Sequence, residues 1–430
     1  MTGSLLRLTI EKIVYPGERL AHWEGRTVFS DEGLPGEIVE AEVVKDAKSH
    51  IEARTVRIVE PSPLRIEPRC GHFRACGAYQ VLPYVEQAAL KSSQIREMLA
   101  GTAGIEPGEI SFAAAPEPWH YRNRVRFRVV WTGRTAALAY RAPGSETSYV
   151  EAGTCHLVSA GMSEMLEACR TIIESAGIQT IIEIEARESR TTGERLLCLH
   201  RKSPARPGDI DPFLTRLLPR FNLKGIVASR PAGRGAQTSV EWGRDYIEET
   251  IGGRTFRIGA ASFFQVNPVM LENVLGEIRE FAAVAGPGRL ADLYCGIGTF
   301  GIALAGRFKE VAGVESEPEN IAYLKANLEA NKIGNFRIHE GRSEEWTDLI
   351  LGRGVDLAVV DPPRKGLDPT VVGSLCAHPP AALAYLSCNP ATLVRDLRRL
   401  LDIYRVASIR GYDFFPQTPH FETLACLVRK

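Results

Sequence analysis

The stretch Asp292-Leu-Tyr-Cys-Gly-Ile-Gly-Thr-Phe-Gly301 decides the fold. It follows an apolar strand pattern, Arg289 to Tyr294, and opens a helical one, Phe300 to Ala305. Gly296, Gly298 and Gly301 stand in the spacing G-x-G-x-x-G, which lets a strand turn sharply into a helix and lets a ligand approach bare backbone. Glu315 ends the next predicted strand, where a carboxylate can accept hydrogen bonds from both hydroxyls of a ribose. These residues predict a nucleotide-type pocket. By themselves they do not separate a dinucleotide dehydrogenase from a methyltransferase.

Outward from this stretch the strand–helix alternation continues. Glu310 to Glu315 reads as a strand, Glu319 to Asn331 as a helix, and Val355 to Asp361 and Ala381 to Cys388 as buried strands. Such alternation predicts an α/β fold with a doubly wound, mostly parallel sheet and its ligands at the carboxyl ends of the strands. Two motifs fall at those ends. In Asp361-Pro-Pro-Arg-Lys-Gly366 the prolines stiffen a loop, and Arg364 stands where amino-group methyltransferases often carry a base-stacking aromatic. Leu386-Ser-Cys-Asn-Pro390 puts Cys388 at the mouth of the following strand, among polar neighbours that suit a reactive thiol better than a core one.

Upstream the patterning changes. Residues 1–60 hold short strand candidates, Leu6 to Val14, Thr27 to Ser30, Gly36 to Val44 and Ile51 to Val59, which predict a small barrel. A proline-rich linker follows, then a helix over Val85 to Leu99, strands from about 119 to 150 and mixed α/β character to about 260. Three domains are expected: a barrel over 1–60, a central α+β domain over 61–260 and a Rossmann-like catalytic domain over 261–430.

The 430 residues carry 52 Lys plus Arg against 52 Asp plus Glu, so overall charge does not point to a nucleic-acid partner. Distribution does. Arg122, Arg124, Arg126 and Arg128 recur at period two, which on a strand lines them on one face as a phosphate-binding stripe. No apolar run is long enough to span a bilayer and no signal pattern opens the chain, so no membrane partner and a cytoplasmic location are expected. The nine scattered cysteines argue against a disulfide framework. No obligate protein partner is implied.

Taken with Phe263-Phe-Gln-Val-Asn-Pro268 and Asp413-Phe-Phe-Pro-Gln-Thr-Pro-His-Phe-Glu422, these motifs resemble the TRAM-domain RNA 5-methyluridine methyltransferases, the class I family of tRNA and 23S rRNA uridine-C5 enzymes. The N-terminal strands, with Leu34-Pro-Gly-Glu37 and Pro61-Ser-Pro-Leu-Arg65, are similar to the TRAM barrel, an OB-like module. The resemblance implies S-adenosylmethionine as methyl donor, bound by Gln265, Tyr294, Gly296, Gly298, Glu315 and Asp361. It implies Cys388 as the nucleophile that adds to C6 of uracil, Glu422 as the base that removes the C5 proton, and Asp361 as a catalytic aid orienting uracil or donor. Structured RNA is the implied partner, and the long barrel favours 23S rRNA over tRNA. The family's adenine-reading acid or amide after a glycine is replaced by Arg342 and Ser343 behind Gly341. Cysteine chemistry of this type also serves cytosine C5, and a non-catalytic RNA-binding protein on a degenerate methyltransferase fold is a further alternative.

Many family members hold a [4Fe-4S] cluster on four cysteines. Cys70, Cys76 and Cys155 match three of those positions, but Tyr79 replaces the third cysteine of the pattern, and neither His72 nor His156 stands at a ligand position. A remnant loop without a metal is the expectation, since such clusters require four ligands.

Overall fold

A computed structural model describes every residue except 1, 101, 103–104, 106–109, 205, 207 and 233–234. The N-terminal part is a six-stranded sheet in the order Leu5–Thr9, Ile38–Asp46, Ile51–Glu60, Arg26–Ser30, Glu18–Trp23, Lys12–Val14. Alternate residues such as Leu6, Leu8, Val39, Ala41, Val43 and Ile51 point into one apolar core. The expected single strand from Leu6 to Val14 is two, because the Ile10 and Glu11 amides turn to the carbonyls of Glu37 and Leu20, both at 2.9 Å. Glu18–Trp23, unforeseen in the sequence, contains the buried Arg19, whose guanidinium is satisfied by the Gly17 and Gly33 carbonyls.

The central sheet has seven strands in the order Tyr149–Glu151, Thr135–Arg141, Arg124–Thr132, Ile181–Glu188, Arg195–Arg201, Leu223–Ala232, Gly235–Gly243. The helix Ala160–Ala176 covers it, sealing a core that includes Phe127, Met165, Ile173, Ile184 and Leu199. The arginine stripe alternates as expected, but it is not free. Arg124 is held bidentately by Glu185 at 2.6 and 2.9 Å, and Glu183 pairs with both Arg126 and Arg128. Arg122 precedes the strand and its guanidinium is buried. The facing strand Ile181–Glu188 thus offsets part of the stripe with two carboxylates, while Arg126 and Arg128 remain partly exposed and the ladder keeps a net positive charge.

The C-terminal sheet has eight strands in the order Phe336–Glu340, Glu310–Glu315, Arg289–Leu293, Leu357–Val360, Ala382–Ser387, Glu422–Arg429, Tyr404–Tyr412, Ile110–Ala113. The first five run parallel, and Glu422–Arg429 inserts antiparallel beside Ala382–Ser387. Leu357–Val360 and Ala382–Ser387 are buried at every position, as expected of strands covered on both faces by helices. Two pieces of the 61–260 segment belong with this sheet. Ile110–Ala113 forms its edge, and the hairpin of Tyr246–Ile251 and Arg254–Gly259 packs Ile247, Phe256 and Ile258 into its core.

The helix Tyr84–Leu99 clamps the parts together. Gln94 donates to the Ile13 carbonyl of the N-terminal sheet at 2.8 Å, and Gln87 bonds to Gln417. Lys91 donates to Asp413 at 2.7 Å, with neither side chain exposed. Removing one partner of such a pair strands a buried charge, so Lys91→Met is expected to cost about 3–5 kcal/mol. Urea unfolding measures this, and the double variant Lys91→Met/Asp413→Leu should recover most of the loss.

Candidate active site

The sheet's carboxyl edge opens into a cavity of about 720 Å³, within the range of small-molecule sites. Gln265, Tyr294, Gly296, Glu315, Asp361, Cys388 and Glu422, expected from sequence, all line it. Gly298 does not. It caps the helix Thr299–Leu304 at φ 92°, and a Cβ there would come within 2.5 Å of Leu324, so its job is close helix packing.

On the donor side, Asp292 ties down the glycine turn, its Oδ2 accepting from the Gly301 amide at 2.7 Å. Burial, opposed by that hydrogen bond and aided by the charges of Asp361 and Glu315, pushes its carboxyl up to about 7. Glu315 partly serves its own loop. Its Oε2 accepts from Gly296 at 2.8 Å, and its Oε1 from Ser316 and Glu317 at 2.8 and 2.7 Å. Oε1 thus has both lone pairs engaged, and Oε2 retains one for a ribose hydroxyl. Gly296, at φ 56° with open space where a Cβ would stand, offers bare backbone to the cavity. Gln265 donates to Asp361 at 3.3 Å from a loop whose backbone is held by Asn123, at 3.0 Å from the Gln265 carbonyl. Asn267 and Pro268 start the next helix as expected, with Asn267 Oδ1 accepting from Met270 at 3.3 Å. These residues fit an S-adenosyl donor.

Near Gly341 the cavity is lined by Arg342, Ser343 and Glu344. Glu344, the second residue of its helix and paired with Arg342, was missed because the sequence pattern looks for the acid directly after the glycine. Phe415, Asn320 and His420 were likewise not assigned a place in the site, since only tertiary contacts bring them to it.

On the other side, sheet register brings the two distant motifs together. Ser387 pairs with Thr423 at the end of the antiparallel ladder, and the residues just beyond, Cys388 and Glu422, come to one cavity where the Glu422 charge acts on the thiol. Asn389 secures the cysteine's turn, donating to the Arg364 carbonyl at 3.1 Å and capping the following helix at the Ala391 amide. Glu422 is buried with Oε2 unpartnered, and burial followed by the charge of Asp361 holds its carboxyl well above the usual range. Burial also raises Asp361 to about 7, against the hydrogen bond from Gln265. The Cys388 thiol is pushed up to about 12, first by burial and then by Glu422 and Asp361, against the pull of Arg364. The resting thiol is therefore neutral, and its proton needs a base to leave. His420 is pushed down to about 4 by burial and by Arg364, Lys91 and Arg122, and is neutral at physiological pH.

The structure brings Cys70, Cys76 and Cys155 together with His72, and Tyr79, in place of the family's third cysteine, leaves the set one thiolate short of an iron–sulfur cluster. Tyr79 turns into the contact with the N-terminal sheet beside Ile13, Leu34 and Val81, and the Gln80 amide sits 3.4 Å from the Cys70 sulfur. Cys155 is buried, Cys70 and Cys76 are half-buried, and among the described residues no group of three or more metal-binding side chains is arranged to hold an ion.

Sheet, glycine turn and cavity together define a class I methyltransferase. Residues 222–430 match the family model described as tRNA (Uracil-5-)-methyltransferase. An uncharacterized RNA methyltransferase of Thermosynechococcus vestitus is 31% identical, over 99% of this chain and 98% of that relative. Another, of Halalkalibacterium halodurans, is 32% identical over 100% and 98%. The solved tRNA (uracil-54, C5)-methyltransferase of Pyrococcus abyssi, in complex with S-adenosyl-L-homocysteine, is 26% identical with a TM-score of 0.78, covering 98% of this chain and 99% of that one. The chain belongs to the uridine-C5 RNA methyltransferase family, and is an S-adenosylmethionine-dependent RNA methyltransferase. Among the described residues no helix is long and apolar enough to cross a membrane.

Proposed function

We propose that this enzyme converts a uridine in structured RNA to 5-methyluridine, with Cys388 as nucleophile and Glu422 as base. The observation that carries the reading is the ladder register that brings Cys388 and Glu422 to one cavity, shared with Asp361 and the donor-side residues. S-adenosylmethionine supplies the methyl group; Gln265, Tyr294, Gly296 and Glu315 hold it.

The resting thiol is neutral, so its proton must pass to a base as sulfur adds to C6. Asp361, titrating near 7, takes it, and the pair of C5–C6 π electrons moves to the C4 oxygen. C5, now nucleophilic, takes the methyl as its bond to the donor sulfonium breaks and the donor leaves as a thioether. One proton leaves the carboxylate pair for solvent, and Glu422 as carboxylate removes the C5 proton. The C6–S bond then breaks, restoring the ring double bond, and the departing thiolate takes back the proton held by Asp361. A target base in a loop meets the cavity at the lowest unstacking cost.

The sign of the pH dependence follows from Asp361. Below about pH 7 it carries a proton and cannot accept another, whereas above that it is ionised. The rate of adduct formation is expected to rise to about pH 7 and then level, in single-turnover measurements. A rise of about tenfold per pH unit continuing to pH 9 would instead mean simple thiol ionisation below a pKa near 12.

The lean toward 23S rRNA rested on the N-terminal barrel. The Pyrococcus tRNA enzyme matches this chain over 98% of its length, barrel included, so the barrel does not discriminate and tRNA becomes the first substrate to assay. Nucleoside mass spectrometry of tRNA and 23S rRNA, from cells with and without the gene, tests the whole reading. If 5-methyluridine falls in neither pool, and purified protein adds none, uridine methylation is wrong.

A further inference from the structure

Cys388 sits between the end of the strand Ala382–Ser387 and Asn389, the cap of the helix Pro390–Leu400. The side chains of this turn satisfy one another: Ser387 Oγ donates to the Asn389 carbonyl at 3.1 Å and accepts from its amide at 3.2 Å. The Cys388 carbonyl finds its partner elsewhere. It accepts from the Tyr15 hydroxyl, 3.2 Å away and 373 residues distant in sequence. The same ring packs edge-on against Phe421, with centroids 5.4 Å apart, and against His420 at 6.3 Å. One side chain of the N-terminal segment therefore touches the turn of the nucleophile and the residue next to Glu422.

The segment carrying Tyr15 is itself fixed. Gln94 holds the Ile13 carbonyl at 2.8 Å, and Gly17, at φ 111°, lies so close to Pro419 that a Cβ would come within 2.9 Å of it. Burial, with the neighbouring Cys388 and Glu422, pushes the phenol up to about 12, so it remains a hydrogen-bond donor across the working pH range.

We propose that Tyr15 is a positioning residue for the reaction: its hydroxyl fixes the Cys388 peptide, and so the direction from which sulfur approaches C6. The N-terminal sheet is then part of the active site as well as an RNA-binding module. This rests on Cys388 being the nucleophile. Tyr15 is half-buried and is not among the residues lining the cavity, so its role is one that RNA affinity alone would not report.

The test uses full-length enzyme, S-adenosylmethionine and transcripts of tRNA and 23S rRNA substituted with 5-fluorouridine, which carries fluorine in place of the C5 hydrogen that the base would remove and so traps the covalent adduct. Tyr15→Phe keeps the ring contacts and removes one hydrogen bond. Its adduct rate constant is expected to fall about tenfold, with RNA affinity, donor KM and Tm unchanged. Tyr15→Leu, which also loses the ring contacts, should fall further. An unchanged rate in Tyr15→Phe beside a normal wild-type adduct overturns the role of Tyr15 and leaves the nucleophile standing. A fall matched by an equal loss of RNA affinity also overturns it. Absence of a wild-type adduct, or an equal adduct in Cys388→Ala, overturns the nucleophile and Tyr15 together.

Discussion

Cys388→Ala is expected to leave no covalent RNA–protein complex and to lower 5-methyluridine formation by on the order of 10⁴-fold or more. C5 of uracil is too weak a nucleophile to take a methyl group unaided, and addition of a thiolate at C6 is what makes it reactive. The substitution removes one atom at the cavity wall. It leaves Gln265, Glu315 and the glycine turn untouched, so donor affinity should stay within about twofold, as calorimetric titration with S-adenosylhomocysteine would show. Loss of the adduct with donor binding intact separates a chemical defect from a folding one. Substantial turnover in this variant would mean that another group activates the ring. Cys295 and Cys426 are poor substitutes, since both are buried in apolar surroundings that hold their thiols neutral.

The donor half of this site is legible in sequence because it is local. Strand, glycine turn, helix and acid follow one another within Asp292 to Glu315, and the strands covered on both faces read as apolar runs. The structure moves those boundaries by only a residue or two. The other half depends on chain order in space. Glu422–Arg429 is last in sequence yet lies between Ala382–Ser387 and Tyr404–Tyr412, and no spacing announces that Cys388 will share a cavity with Glu422. Only resemblance paired them beforehand. The arginine ladder shows the same limit. Its face is periodic as read, but Glu183 and Glu185 come from a different strand, and only their register shows how much of that positive charge is offset. Tyr15 is the extreme case, a polar residue in a turn whose partner is 373 positions away.

Glu422→Gln is expected to do the opposite of Cys388→Ala: the adduct forms, and then persists. Burial already keeps the Glu422 carboxyl well above its ordinary range, so an uncharged amide of the same shape should be tolerated without loss of stability. Because that carboxyl is already protonated at rest, the amide leaves the charge facing Cys388 unchanged, and addition to C6 should be no slower than in the native enzyme. What the amide cannot do is accept the C5 proton. Turnover should fall by about 10²–10⁴-fold, the usual contribution of a positioned base, while a complex with ordinary uridine RNA accumulates. Mass spectrometry of that complex should show the methyl group already on the base, since the block lies after transfer. An adduct without the methyl group would place Glu422 at methyl transfer, and no adduct at all would place it at thiol activation. Near-normal release of 5-methyluridine RNA would remove Glu422 from the mechanism altogether, and Asp361, also buried beside Cys388, would then be the remaining carboxylate able to take the proton.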